Sequence, residues 1–363
     1  MDSNSTAAKN EVLPPVTAEG EALVSDARRL RYVETEAPAL GHCVPLVESV
    51  NWMRVALPID LNHINVWLID AGNEYIAVDT GMSASMCRGA WEQLDVTHFN
   101  RKPLGGLFIT HAHPDHLGLA DWLQTRYGIQ VWMSRATQAL ARAVYEERRP
   151  TSQAIEAFLL QHGVPNLDQL RPMAKPERFG RMANRLATVE RFIEDGEVLR
   201  WGGTAWRALQ TDGHAEGHLC LYSADAKILI SGDQVLPTIS SNISVMLQRE
   251  DPNPLRSYLA SLDRLRELPA DTLVLPSHGK PFFGLHQRID DLKSHHYEQL
   301  SKLVVACRDP KTAFELLPTM FRRELAGMHF FLALGEAVAH LEMLAFDGKL
   351  RREESEGVMR YVV

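Results

Sequence analysis

Short apolar runs bounded by turn residues alternate with helical stretches along the first half of the chain. Trp52–Leu57 reads as a strand. Asn65–Asp70 and Tyr75–Asp79 read as a hairpin turned by Ala71, Gly72, Asn73 and Glu74. Regular structure is expected from about Val47. Ser83–Leu94 looks helical, Gly105–Ile109 returns as a buried strand, and Leu117–Tyr127 follows as a helix. Val131–Met133 is a strand and Ala136–Glu147 is helical. This order predicts an α/β fold with its sheets covered by helices. Further on, Thr204–Leu209 is a strand, and Leu219–Tyr222 with Ile228–Ser231 forms a second hairpin. Leu273–Leu275 adds another apolar run.

The length of 363 residues gives room for one large domain and an appendage. Residues 1–25 are polar, small and proline-containing, and are expected to form a loose arm. The main domain is placed at 26–284. A helical insertion is placed at about 148–192, because His116 and His214 lie 98 positions apart. After Gly284 the chain predicts helices over Ile289–Val305, Thr312–Met320 and Leu332–Phe346. A turn at Asp347–Arg351 and a terminal hairpin with Val358–Val362 follow. Three helices and a two-stranded hairpin at 285–363 resemble a winged helix.

Hydrophobic and charged contents of 45% and 23% are ordinary for a globular protein. The formal net charge of −8 argues against a dedicated nucleic-acid binder. Residues 285–363 hold 11 Lys and Arg against 12 Asp and Glu, a poor balance for polyanion binding. Cys43, Cys87, Cys220 and Cys307 lie far apart with no CxxC pair, which fits a reducing, cytoplasmic setting. The N-terminus shows no apolar leader, and no run approaches the ~18 apolar residues of a membrane helix, so no membrane partner is expected.

One stretch concentrates the chemistry. Thr110-His111-Ala112-His113-Pro114-Asp115-His116 places three imidazoles and a carboxylate within six residues, directly after an apolar strand. That is too many costly polar groups for core filler. A metal site accounts for them, since imidazole suits zinc and a carboxylate serves a second ion. His111 and His113 would converge on one point, and Asp115 and His116, past the Pro114 bend, on a neighbouring one.

This motif resembles the metallo-β-lactamase superfamily. The further positions that the resemblance requires are present in order between about residues 45 and 285. They are Asp79 ending a strand, His214 in Asp212–His218, Asp233 after Ile230-Ser231-Gly232, and His278 in Leu275–Gly279. The resemblance implies an αββα sandwich. It implies a first metal on His111, His113 and His214, and a second on Asp115, His116 and His278, with Asp233 bridging. Asp79 would stand behind the loop and hold it by hydrogen bonds. The implied cofactor is two zinc ions, with iron or manganese as alternatives, and His218 would be a structural, non-ligand histidine. His63 either borders the site mouth or is structural. His295 and His296 are adjacent on a helix and face different ways, so a shared ligand role is not expected.

Zinc would lower the pKa of a shared water toward ~7 and polarise the substrate. Asp115 or a metal-held water would supply the proton, and Asp233 would be essential. No Gly-x-Ser-x-Gly motif competes with this chemistry. The expected function is zinc-dependent hydrolysis of a carboxyl derivative: a thioester, ester or lactone, with acyl-coenzyme A as one such small-molecule substrate. The alternative is a metal-dependent endoribonuclease of the same superfamily. A non-catalytic regulator using the tail on DNA is disfavoured by the intact ligand set. Ser241 and Asn242, on the loop after Asp233, are candidate donors to a substrate carbonyl, with turn capping as the other reading. Six cations between 171 and 191, Arg181 and Arg185 among them, alternate with Met173, Phe179, Met182 and Leu186. They suit either a lid over the cleft or a solvated helix face. A homodimer is left open.

Overall fold

The computed structural model describes residues 30–47, 49–147, 151–165, 185–245, 247, 250–322 and 324–363. Strand β1 (Arg31–Tyr32) begins regular structure earlier than expected and joins the second of two large sheets. The first sheet runs in order β2 (Cys43–Val47), β3 (Val50–Ala56), β4 (His63–Asp70), β5 (Tyr75–Val78), β6 (Leu104–Phe108), β7 (Gln130–Met133) and β8 (Arg191–Phe192). Its first four strands pair antiparallel; from β5 onward the pairing is parallel. Parallel neighbours need crossovers. Here α1 (Ser85–Leu94) and then α2 (Pro114–Leu117) with α3 (Ala120–Tyr127) supply them.

The second sheet contains β9 (Val198–Trp201), β10 (Thr204–Gln210), β11 (Leu219–Ser223), β12 (Ile228–Gly232), β13 (Leu273–Pro276) and β14 (Phe282–Phe283). Its order is β1-β14-β13-β12-β11-β10-β9. The crossover between parallel β12 and β13 is carried by the helix Pro254–Arg266. The two sheets face each other through Trp52, Trp67, Phe108, Trp206, Leu221 and Leu275. Strand β3 is buried on both faces: Val50 and Trp52 meet the other sheet, while Met53 and Val55 meet helices. Truncating one of these inter-sheet tryptophans is worth about 3–5 kcal/mol.

Helices close both outer faces, giving α/β/β/α layers. Over the first sheet lie α1, α3 and α4 (Arg135–Arg142), through Trp91, Leu123 and Leu140. The second sheet is covered by α6 (Pro254–Arg266), α7 (Leu285–Ala306), α8 (Ala313–Met320) and α9 (Met328–Phe346). Helix α5 (Ser152–Gln161) joins this cluster through Ile155 and Leu159. A terminal hairpin, β15 (Arg351–Ser355) with β16 (Val358–Val362), packs Tyr361 against the same cluster. The expected boundary at 284/285 falls at the start of α7, and buried side chains on either side of it belong to one cluster.

Several expectations change in detail. The Leu117–Tyr127 helix is broken into α2 and α3 at Gly118, because the backbone there is pressed against the chain near residue 81. A Cβ on Gly118 would come within 2.3 Å of the Pro114 carbonyl oxygen and 2.8 Å of the Ser83 nitrogen. The expected helix over Ala136–Glu147 widens into a π turn over Ala143–Glu147. Helix α9, with 19 residues, is long and apolar enough to cross a membrane, a run that the sequence expectation passes over. About two-thirds of its apolar window is buried inside the protein, so packing accounts for its composition: 67%. The expected N-terminal arm and most of the basic segment, including Arg171, Lys175, Arg178 and Arg181, lie outside the described residues.

Candidate metal centre

The histidine loop is carried by β6, between two parallel neighbours. Thr110 is buried, and its carbonyl oxygen accepts from the Leu219 N–H at 2.9 Å, tying the loop to the second sheet. His113 caps α2, whose first residue is Pro114; this turn delivers Asp115 and His116 to the same side. The remaining donors come from the second sheet's loops. His214 follows β10, Asp233 follows β12 and His278 follows β13. Gly213 and Gly232 both adopt positive φ, 112° and 53°. A Cβ at Gly232 would meet the His218 ring at 2.4 Å, so only glycine lets Asp233 turn inward there.

The donor atoms gather into two groups. His111, His113, His214 and Asp233 form one; Asp115, His116 and His278 form the other, each with one donor atom per residue within 4.8 Å of the rest. His111 Nε2 lies 2.9 Å from His113 Nδ1 and 3.3 Å from His214 Nε2. Donors around a tetrahedral zinc with bonds of about 2.0–2.1 Å stand about 3.3 Å apart. Asp233 reaches both groups: its carboxylate is 3.5 Å from His214 Nε2, from His116 Nε2 and from His278 Nε2.

The fit to a metal rests on atoms that the protein leaves unsatisfied. His116 Nε2, His278 Nε2 and Asp233 Oδ1 are buried without a hydrogen-bond partner; His278 Nε2 stands 3.5 Å from Asp233 Oδ1, and His116 Nε2 3.5 Å from Asp233 Oδ2. Electrostatics agree. Burial would pull His278 down, but the carboxylates of Asp233 and Asp115 outweigh it and push it up to about 10. Burial likewise opposes ionisation of Asp115, yet His116 and His278 hold it down at about 2. Burial with His113 beside it takes His214 down to about 3. Without a cation, protons on His116 and His278 offset the two carboxylates.

Outer contacts fix three of the donor rings, those of His116, His214 and His278. Asp79, at a left-handed φ of 66°, accepts from the Thr110 N–H at 2.8 Å and from His116 Nδ1 at 2.7 Å. His214 Nδ1 donates to the Asn242 carbonyl oxygen at 2.9 Å, and His278 Nδ1 to that of His63 at 2.8 Å. His218 stands behind the centre. Its Nε2 accepts from the Asp233 N–H at 3.2 Å, and it joins neither donor group. His63 is a support: its Nε2 accepts from the Gly279 N–H at 3.3 Å, and burial takes its ring down to about 4. Replacing Asp79 with Asn should weaken metal affinity by about 10–100-fold, with His116 free to turn; titration against a chelator checks this.

Two supports are absent from the sequence reading. Asn65 donates to the carbonyl oxygens of Pro276 and Gly279 at 2.8 Å, and accepts from the Trp52 indole at 2.8 Å. A polar residue heading an apolar strand was the available signal. Tyr145 donates to the Ala112 carbonyl oxygen at 3.1 Å and lines the cavity beside the centre.

That cavity has a volume of about 420 Å³. His113, Asp115, His214, Asp233 and His278 form its floor. Ile59, Leu140, Phe158, Leu236, Phe331 and Leu332 form apolar walls, and among the described residues no Lys or Arg lines it. Ser241 and Asn242 also line it. Their described hydrogen bonds run into the protein: Ser241 to the Asp233 carbonyl oxygen, Asn242 to Glu336 Oε2 at 3.1 Å. Arg185 is exposed, 3.6 Å from Asp121, and is not among the lining residues.

Comparison with known proteins decides the family. The model of the metallo-beta-lactamase superfamily matches residues 59–278, and a model described as metallo-beta-lactamase-like, C-terminal domain, matches 300–363. The chain belongs to the metallo-beta-lactamase superfamily. A solved beta-lactamase domain protein from Burkholderia ambifaria is 36% identical, with a TM-score of 0.84, over 92% of this chain and 98% of that one. The probable metallo-hydrolase YqjP of Bacillus subtilis is 26% identical over 82% of this chain and 92% of its own length. The hydroxyacylglutathione hydrolase GloC of Haemophilus influenzae is 26% identical over 56% and 78%. The acyl-coenzyme A thioesterase MBLAC2 of Gallus gallus is 24% identical over 66% and 80%. As a superfamily member the chain is a metal-dependent hydrolase.

Proposed function

We propose that this superfamily member hydrolyses an apolar carboxyl derivative, a thioester or ester, with zinc at its paired metal groups. The cavity carries the reading. An apolar chamber of about 420 Å³ opening on the donor groups suits an acyl chain whose carbonyl rests over Asp233. Bound there, two ions would supply Lewis acidity and water activated for attack at neutral pH. His111, His113 and His214 would hold one and Asp115, His116 and His278 the other, with Asp233 between them.

The protein's own residues do the rest. Apolar walls keep bulk water from the acyl chain. Tyr145 and Asp79 keep the histidine loop in place. We read the C-terminal helices as a winged-helix-like cap, because Met328, Phe331 and Leu332 reach the cavity. Relatives named for acyl-coenzyme A and hydroxyacylglutathione hydrolysis support a thioester within this class. An RNA substrate would need several phosphates neutralised, and its binding would fall steeply with salt. A panel of acyl thioesters, esters, lactones and RNA, run on zinc-loaded protein, tests the choice. Acyl hydrolysis with little salt dependence is expected; RNA cleavage with a steep salt slope and no acyl hydrolysis would overturn it.

A further inference from the structure

Helices α7 and α9 bring a second set of donor side chains together, apart from the two groups described above. His296 comes from α7; Glu336 and His340 come from α9, four residues apart and so on one face. One donor atom from each lies within 4.8 Å of the others. Sequence spacing pairs His296 only with its neighbour His295, whereas Glu336 and His340 lie 40 and 44 residues further along the chain.

The His340 ring repeats the geometry of the main centre. His340 Nδ1 donates to the Glu336 carbonyl oxygen at 2.8 Å. This leaves the Nε2 lone pair facing His296 Nδ1, 3.1 Å away. In the main centre, His214 and His278 are held in the same way, Nδ1 to a carbonyl oxygen and Nε2 inward. Nitrogen separations there are 2.9 and 3.3 Å. Metal-ligating histidines characteristically have the outer nitrogen anchored like this.

His296 is fully buried; its Nδ1 faces His340 within the cluster, and its other ring nitrogen, Nε2, has no hydrogen-bond partner. Burial keeps His296 at about 2 and His340 at about 4, so both rings are neutral and able to donate a lone pair. Burial also raises Glu336 to about 7, with Asn242 opposing it. Nothing in the cluster is cationic, although a carboxyl group points into it.

We propose that His296, Glu336 and His340 hold a further divalent ion of zinc type, through two imidazole nitrogens and one carboxylate oxygen. The ion braces α7 against α9. It also reaches toward the main centre, since Asn242 donates to Glu336 while its carbonyl oxygen holds His214.

Zinc content per chain tests this on full-length protein, loaded with zinc and then dialysed, with circular dichroism confirming the fold of each variant. Three ions are expected in the wild type. One is expected in the main-centre variant His111→Ala/His116→Ala/Asp233→Ala, and two in His296→Gln/His340→Gln. Two ions in the wild type with none in the main-centre variant would overturn the proposal. So would a remaining ion that survives His296→Gln/His340→Gln in the main-centre background. Should the double Gln change unfold the protein, Glu336→Gln in the main-centre variant decides: affinity for zinc should fall by about tenfold or more, and unchanged affinity refutes the site.

Discussion

Asp233→Ala is expected to abolish hydrolysis while leaving the fold intact. The carboxylate lies 3.5 Å from His214 in its own donor group and 3.5 Å from His116 and His278 in the other. Removing it takes away one of the carboxylates that push both His116 and His278 up. A loss of about 10³-fold or more in kcat/KM is expected, equivalent to roughly 4 kcal/mol of transition-state stabilisation. Circular dichroism should be unchanged, because the side chain adds nothing to the apolar layers. Steady-state kinetics on whichever acyl substrate the panel identifies checks this. Retention of more than a tenth of the activity would show that Asp233 does not bridge.

Chain length should control rate through the cavity. Each methylene moved from water into an apolar wall contributes about 0.8 kcal/mol, so kcat/KM should climb roughly fourfold per methylene until the chamber is full. Leu332, on α9, lines this chamber. Leu332→Trp should shorten it, cutting activity on long acyl chains at least tenfold while sparing acetyl substrates. A thioester series from two to twelve carbons, measured on both proteins, reads this out. A flat profile in the wild type would place the acyl group outside the cavity.

Much of the centre was legible in the sequence because its chemistry is local. His111, His113, Asp115 and His116 sit within one turn, and their partners follow strand ends that apolar runs make visible. The supports were harder to see. Asn65 acts on carbonyls at Pro276 and Gly279, across sequence separations of 211 and 214, and no local pattern encodes that. The break at Gly118 arises from backbone crowding by Ser83 and Gly81, which is a tertiary constraint. The cluster at His296 was hidden for the same reason: its rings meet across two helices. Arg185, which the sequence left between a lid contact and a solvated face, lies exposed near Asp121.

The order of donors along the chain bears on how the enzyme matures. Four are translated together, from His111 to His116, but the others arrive at His214, Asp233 and finally His278. The loop bearing His278 is itself pinned by His63 and Asn65, from strand β4 near the start of the domain. A nascent chain therefore exposes an incomplete, histidine-rich loop for the time taken to synthesise more than a hundred further residues. During that interval the loop can gather a metal only loosely. Tight capture must wait until the ends of the domain have met, so the choice of metal is made by the finished fold and by what the cell offers at that moment.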